Sequence, residues 1–231
     1  MDTINFITYN LDWKSDYFDR LKIILEVVQK KQPTLIIFQN VRLSLYEKFG
    51  REFSYLGYKK YLPDNFQNRK KGDIVFSKFI FDKIKFTEFQ KNTDKRGIFI
   101  LSSIEKNLSL CIVCLDSISY LQKYQLSNLN KILEREIPNE NNFILAIDTS
   151  SMEYSDINTI EGWYDAWYEV GTSENKFTLD FERNSLTPKP YQDRPDRVWY
   201  KGKTIECNTF NLIGYDLGIS SHLGIECNFA L

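Results

Sequence analysis

The sequence lacks the segments that would carry a protein into or across a membrane. No run approaches the roughly 20 consecutive apolar residues that a spanning helix needs. The opening Met1-Asp2-Thr3-Ile4-Asn5 has no basic stretch followed by an apolar one, so we expect no signal peptide. We therefore predict an intracellular protein, cytoplasmic or nuclear, with no membrane partner.

A strong charge of either sign is also missing. The formal net charge is −1, from 30 Lys and Arg residues against 31 Asp and Glu residues. No field of the whole molecule would therefore attract a nucleic acid or an anionic lipid surface. Two local basic runs, Arg69-Lys70-Lys71 and Lys95-Arg96, are interpreted as solvated loops.

Stretches rich in proline, glycine or serine, which could separate two domains, are absent as well. The chain of 231 residues has only 10 glycines and 6 prolines. Its 42% of hydrophobic and 26% of charged residues are typical of an ordinary globular protein, and its length suffices for a full core. We expect one domain that spans residues 1–231.

Cysteine is scarce, and two of the four cysteines have the spacing of a metal or redox pair. Cys111 and Cys114 lie in an apolar run over residues 108–115 that predicts a strand. Residues three apart on a strand point to opposite faces, so these two thiols could not hold one ion together. We interpret them as ordinary buried thiols.

Hydrophobic periodicity predicts two long amphipathic helices, at residues 17–31 and 120–137, and a short helix over residues 43–49 that ends at Gly50. The predicted strands cover residues 4–9, 35–38, 54–60, 73–77, 80–89, 97–104, 108–115, 143–147, 197–201, 205–212 and 223–229. This order favours sheets packed face to face with helices outside.

Polar residues follow the predicted ends of several apolar strands. The segments are Thr8-Tyr9-Asn10-Leu11-Asp12, Phe38-Gln39-Asn40-Val41, Cys114-Leu115-Asp116-Ser117, Ile147-Asp148-Thr149-Ser150, Asp165-Ala166-Trp167, Arg194-Pro195-Asp196-Arg197 and Ser220-Ser221-His222-Leu223-Gly224. In this order the set resembles the endonuclease/exonuclease/phosphatase superfamily over residues 4–229. The Asp-Ala-Trp segment and the following Phe177-Thr178-Leu179-Asp180 look most like its 5′-tyrosyl-DNA phosphodiesterase branch.

The resemblance implies an α/β (α+β) fold, a four-layer sandwich of two mixed β-sheets with helices outside. It also implies a site at one end of the sandwich where relatives hydrolyse a phosphodiester with Mg²⁺. The positions that match the family's catalytic pattern are Asn10, Asp12, Asp148, Asp196 and His222, the last being the only histidine. Asp196 is expected to hydrogen-bond His222.

Four positions depart from the family's pattern. Asn40 and Ser221 stand where the family has a metal-binding Glu and Asp, so two negative charges leave the place of a divalent cation. Cys114 replaces a His, and Ser150 replaces the Asn that positions the attacking water. Leu179 stands where the tyrosyl-DNA branch commonly has a base-stacking Trp.

These departures lead us to expect a catalytically degenerate protein without cofactor or metal, retained as a binding or structural module. A protein is the expected partner; a nucleic-acid phosphate held by Asn10, His222 and Arg197 is possible but not favoured by the net charge. The alternative is a weak or altered Mg²⁺-dependent phosphodiesterase that acts on nucleic acid, with Asp148, Asp12 and Asp116 as replacement metal ligands. A phosphatase acting on small phosphates is a third hypothesis.

Overall fold

Strands form most of the regular structure in the computed structural model, which describes residues 2–11, 17–64, 70–136, 141–150 and 162–231. The helices are α1 (Tyr17–Lys31), α2 (Tyr46–Tyr55), α3 (Ser119–Glu136) and α4 (Ala166–Val170). The strands are β1 (Thr3–Asn10), β2 (Leu35–Arg42), β3 (Lys59–Tyr61), β4 (Lys71–Ser77), β5 (Lys83–Glu88), β6 (Gly97–Ser103), β7 (Leu108–Cys114), β8 (Asn142–Asp148), β9 (Tyr164–Asp165), β10 (Leu179–Asp180), β11 (Gln192–Asp193), β12 (Asp196–Lys201), β13 (Glu206–Ile213) and β14 (Gly224–Ala230).

Two six-stranded mixed sheets carry the fold. The first has the order β13-β14-β1-β2-β4-β3 and the second the order β5-β6-β7-β8-β12-β9, while β10 and β11 form a separate pair. β1 runs parallel to β2 and β7 parallel to β8, and the other neighbours are antiparallel. The carboxyl ends of each parallel pair therefore lie side by side at one edge of each sheet.

Three hydrophobic cores, formed by the apolar faces of the strands and helices in the described part of the chain, lie between the layers of the fold. One core lies between the two sheets and includes Phe6, Leu110 and Ile144. A second joins the first sheet to α1 and α2, and a third joins the second sheet to Leu129 and Leu133 of α3. Helices thus cover the outer faces of both sheets, and the predicted four-layer sandwich is confirmed.

Helix α2 differs from the prediction. It continues through Gly50 to Tyr55, and β3 begins only at Lys59, so the expected end at Gly50 and residues 54–58 of the strand expected at 54–60 are wrong. The extra turn stacks Phe53 on Phe76 of β4, with ring centroids 4.2 Å apart. Burying this ring outweighs the roughly 1 kcal/mol that a glycine costs inside a helix.

Most other predicted elements are present with small shifts at their ends. α1 has the predicted bounds; Ile137, predicted to end the second long helix, lies outside the described residues. β5 begins three residues later than expected, at Lys83. All four cysteines are buried and form no disulfide, which confirms the interpretation of Cys111 and Cys114 as buried thiols. No helix in the described part of the chain is long and apolar enough to cross a membrane.

A close contact between β14 and β1 supports one prediction. A Cβ placed on Gly224 would lie 2.2 Å from the Tyr9 ring, which is buried. Gly224→Ala must displace this ring, so we expect it to lower the free energy of unfolding by about 1–3 kcal/mol. Urea titration would measure the effect.

The contrasting variant is Gly50→Ala in α2. A Cβ there meets the flexible side chain of Lys60, which can move away. The better helix propensity of alanine should then stabilise the protein by up to about 1 kcal/mol. A Gly224→Ala protein as stable as wild type would contradict the proposed close packing of Tyr9.

Candidate functional site

Polar residues from both sheets meet at one end of the sandwich. β1 and β2 of the first sheet bring Asn10 and Asn40, and β7 and β8 of the second bring Cys114 and Asp148. Cys114 lies beside Asp148 in the parallel register, and Asp148 lies opposite Asp196 in the antiparallel register of β12. The strand ends therefore assemble a single cluster.

Hydrogen bonds connect the two sheets within this cluster. The Asn10 amide donates to Asp148 Oδ2 at 2.9 Å, and the Asn40 amide donates to Asn10 Oδ1 at 3.1 Å. The same Asn40 nitrogen lies 3.6 Å from Cys114 Sγ. Because buried polar groups without partners are costly, this chain of bonds holds the two sheets in register at the site.

The predicted hydrogen bond between Asp196 and His222 is confirmed. His222 Nδ1 lies 2.7 Å from Asp196 Oδ2, which also accepts from the Thr178 hydroxyl at 2.7 Å. The carboxylate thereby selects one orientation of the imidazole ring. Asp196 is buried, whereas His222 borders a cavity.

Asp148 is the buried carboxylate at the centre of the cluster. Its Oδ1 accepts from the Ser150 backbone N–H at 2.8 Å, and Ser150 has a left-handed φ of 55°. Burial first, and then the negative charge of Asp196, raise the pKa of Asp148, although His222 and the hydrogen bonds oppose this change. Desolvation disfavours the charged form of a carboxyl group.

The positions that depart from the family's pattern are placed as follows. Cys114 Sγ lies 3.3 Å from Asp148 Oδ2, and burial raises the pKa of this thiol. Asn40 sits in a β-bulge of β2 with a φ of 56°, a conformation that asparagine tolerates better than most residues. Ser221 is held through its carbonyl, which accepts from Asn184 and Thr187.

Arg96 belongs to the site, and the interpretation of Lys95-Arg96 as a solvated loop is wrong for it. Its Nη1 lies 2.6 Å from Cys114 Sγ and donates to the Leu115 carbonyl at 2.8 Å. Arg96 directly precedes β6, which runs antiparallel to β7. The start of β6 therefore lies beside the end of β7. The sequence could have indicated this position for Arg96, because the predicted strands over residues 97–104 and 108–115 follow each other directly along the chain.

Asp165 is the shared acceptor of a second, buried group of polar side chains. Its carboxylate accepts from Arg194 Nη1 at 2.9 Å and 3.0 Å and from the Trp199 indole at 3.0 Å. The fully buried Arg197 side chain lies 3.8 Å away. Burial first, and then the charge of Arg194, lower the pKa of Arg197 to about 10.

The prediction that Arg197 holds a nucleic-acid phosphate is therefore wrong. Alternate residues of a strand face opposite sides, so Asp196 points to the site while Arg197 and Trp199 point to the other side of the sheet.

A cavity of about 270 Å³ opens at the cluster. Asn10, Asn40, Asp148 and His222 line it together with two cations, Lys71 and Arg96. Leu179, Tyr191 and Pro195 form an apolar part of its wall. Lys71, Arg96, Tyr191 and Pro195 were not predicted as site residues, whereas Leu179 lies where the resemblance places a ligand-contacting residue.

Known structures share this architecture, although no family model and no curated protein sequence matches the chain. The structure of TDP2 from Caenorhabditis elegans has a TM-score of 0.80 and 19% identity, covering all of this chain and 75% of that one. TDP2 of D. rerio, complexed with a single-strand DNA product, has a TM-score of 0.81 and 19% identity over both whole chains. An endonuclease/exonuclease/phosphatase from Bacteroides vulgatus has a TM-score of 0.78 and 11% identity over both whole chains.

The chain has the endonuclease/exonuclease/phosphatase fold. At these identities the likeness concerns the fold, so the chemistry has to be argued from the residues of this site.

The donors available in this endonuclease/exonuclease/phosphatase fold do not fit Mg²⁺ well. Mg²⁺ prefers an octahedron of oxygen ligands, with carboxylates among them. Within the described residues, which exclude Asp12, no three His, Cys, Asp or Glu side chains are grouped to hold an ion. The Asp148 oxygens already accept from Asn10 and Ser150, and the Asn40 nitrogen points into the cluster as a donor.

The raised pKa of Asp148 predicts a pH effect on stability. The folded chain keeps the Asp148 proton to a higher pH than the unfolded chain, whose carboxyl group titrates near about 3.9. The stabilising effect of this proton is therefore present at low pH and is lost as the pH rises through the folded-state pKa. We expect the free energy of unfolding of wild type, relative to Asp148→Asn, to fall as the pH rises from about 4 to about 7.

Urea titrations of both proteins across this pH range would measure the difference. Asp64→Asn at an exposed turn controls for the removal of one negative charge. A difference that grows in favour of wild type with rising pH would show that the folded state prefers the ionised Asp148.

Proposed function

We propose that this protein is a catalytically degenerate member of the endonuclease/exonuclease/phosphatase superfamily, retained as a binding module for a protein partner. One observation carries the proposal. The Arg96 guanidinium and the Asn40 amide converge on Cys114, so hydrogen-bond donors occupy the region where a divalent cation would need acceptors. The positive charge of Arg96 further disfavours a cation there.

Without a bound cation, the site lacks the group that would activate a phosphodiester for hydrolysis. A bound Mg²⁺ would neutralise the phosphate and help to generate the nucleophile. Asn10, Asp148 and His222 can still orient a ligand through hydrogen bonds. Ser150 has no side-chain amide to position a water molecule, and Cys114 is a buried thiol instead of an imidazole. We infer that the remaining groups bind but do not hydrolyse.

A protein partner agrees better with the chain than a nucleic acid does. The net charge of −1 gives no long-range attraction for a polyanion. Arg197 is buried on Asp165, and Leu179 has no aromatic surface on which a base could stack.

The alternative function is a weak Mg²⁺-dependent phosphodiesterase. It is favoured by the survival of Asn10, Asp148 and the Asp196–His222 pair in one hydrogen-bonded cluster. Asp148, together with Asp12 outside the described residues, would then be the metal ligands.

One pair of measurements separates the two functions. We expect Mg²⁺ to leave the melting temperature of wild type unchanged, and we expect no hydrolysis of bis(4-nitrophenyl) phosphate or of a 5′-phosphotyrosyl oligonucleotide. Asp148→Ala provides the blank for contaminating activity. Mg²⁺-dependent turnover by wild type that Asp148→Ala abolishes would establish the phosphodiesterase instead.

A further inference from the structure

We propose that the cavity at the strand ends binds a carboxylate of a protein partner, carried beside an apolar side chain, without a metal ion. This inference rests on the proposed function, because it assigns a ligand class to the same site. Its basis is the placement of Lys71 and Arg96 on a cavity that Leu179, Tyr191 and Pro195 also line.

The two cations are suited to an oxyanion. Lys71 and Arg96 border both the main cavity and a smaller adjoining one that shares Asn40 with it. Arg96 is fixed by its Nη1 contacts, and its Nη2 lies 3.9 Å from Oδ2 of the exposed Asp94, beyond hydrogen-bond distance. A guanidinium offers donors in a planar fork that matches a carboxylate. Because Arg96 is already held, it loses little freedom when a ligand binds.

The charges around the cavity favour a singly charged ligand. Two carboxylates, Asp148 and Asp193, line the cavity with Lys71 and Arg96. Asp193 is partly balanced by the neighbouring charge of Arg197. The Coulomb energy of a ligand with this balanced lining rises in proportion to its charge, whereas the cost of removing it from water rises with the square of its charge, so a phosphate dianion is disfavoured more than a monoanion. A carboxylate therefore fits this lining better than a terminal phosphate.

The apolar wall defines what should accompany the charge. Leu179 is partly exposed and Tyr191 is 44% exposed, so both present surface to a ligand. The volume of about 270 Å³ accommodates one apolar side chain with its adjoining backbone end. An apolar residue that bears a free carboxylate, as at the end of a polypeptide, combines both features.

The test compares N-acetyl-leucine with its uncharged analogue N-acetyl-leucinamide, using the full chain in EDTA. The ring resonances of His222, the only histidine, report binding by NMR titration. We expect the acid to bind at least about tenfold more tightly than the amide, a difference of about 1.4 kcal/mol. Arg96→Gln should weaken binding of the acid about tenfold. Lys78→Gln, just beyond the opposite end of β4, should not change it.

Equal binding of the acid and the amide would overturn the proposal. Tighter binding of inorganic phosphate or thymidine 5′-monophosphate would overturn it in favour of a nucleic-acid ligand. If Arg96→Gln does not fold, Lys71→Gln tests the same charge. Mg²⁺-dependent hydrolysis by wild type would refute the proposed function. The relative affinities for the acid and the amide are measured in EDTA, so they test the carboxylate ligand separately from the proposed function.

Discussion

Asp165→Ala is expected to lower the free energy of unfolding by about 3–5 kcal/mol, because it leaves two buried guanidinium groups without their shared carboxylate. The side chains of Asp165, Arg194 and Arg197 are 1%, 3% and 0% exposed. Asp165 also accepts from the Trp199 indole and caps α4 through the Trp167 backbone N–H. Loss of the carboxylate therefore affects β9, β12 and α4 together.

Urea unfolding would measure this effect, and an exposed ion pair provides the control. Asp2→Ala removes the partner of Lys106 at the surface, where solvent screens the pair, and should be hard to distinguish from wild type. If Asp165→Ala proves too unstable to purify, Asp165→Asn keeps an acceptor for one arginine and should be less destabilised. An Asp165→Ala protein as stable as the Asp2→Ala protein would refute the central role of this carboxylate.

Placing carboxylates at the two positions where the family has a metal-binding Glu and Asp should create a Mg²⁺ site. In Asn40→Glu with Ser221→Asp and Arg96→Gln, two negative charges enter the cluster and one positive charge leaves it. We expect Mg²⁺ at 100 times its dissociation constant to stabilise this variant by about 2.7 kcal/mol, which is readily seen as a higher melting temperature. Wild type should show no such change.

Comparing variants with and without Arg96 shows whether its charge lowers the affinity for Mg²⁺. Asn40→Glu with Ser221→Asp alone should bind Mg²⁺ more weakly than the triple variant, because Arg96 still lies beside Cys114. Adding Ser150→Asn and Cys114→His should then produce hydrolysis of a nitrophenyl phosphodiester, and Asp148→Ala should abolish it. Equal Mg²⁺ affinity with and without Arg96 would show that its charge does not oppose the cation.

Much of the architecture followed from hydrophobic patterns. The continuous apolar runs of β2 and β8 and the helical spacing of α1 indicate buried strands and a covering helix, whatever their neighbours are. Parallel pairing places the ends of β1 and β2 together and the ends of β7 and β8 together, whereas the meeting of the two pairs at one end of the sandwich was expected from the resemblance alone. The end of α2 could not be predicted from local propensity, since the stacking of Phe53 on a distant strand decides it.

The sequence by itself determined the layers, the strand ends that build the site, and the identities of Asn40, Cys114, Ser150 and Ser221 at that site. Only the tertiary structure decided which basic side chains lie at this site. Arg197 follows Asp196 directly yet faces the opposite side of its strand, whereas Arg96 arrives from the antiparallel neighbour of β7. The direction of a side chain depends on strand register and alternation, and neither can be read from a charged residue and its immediate neighbours.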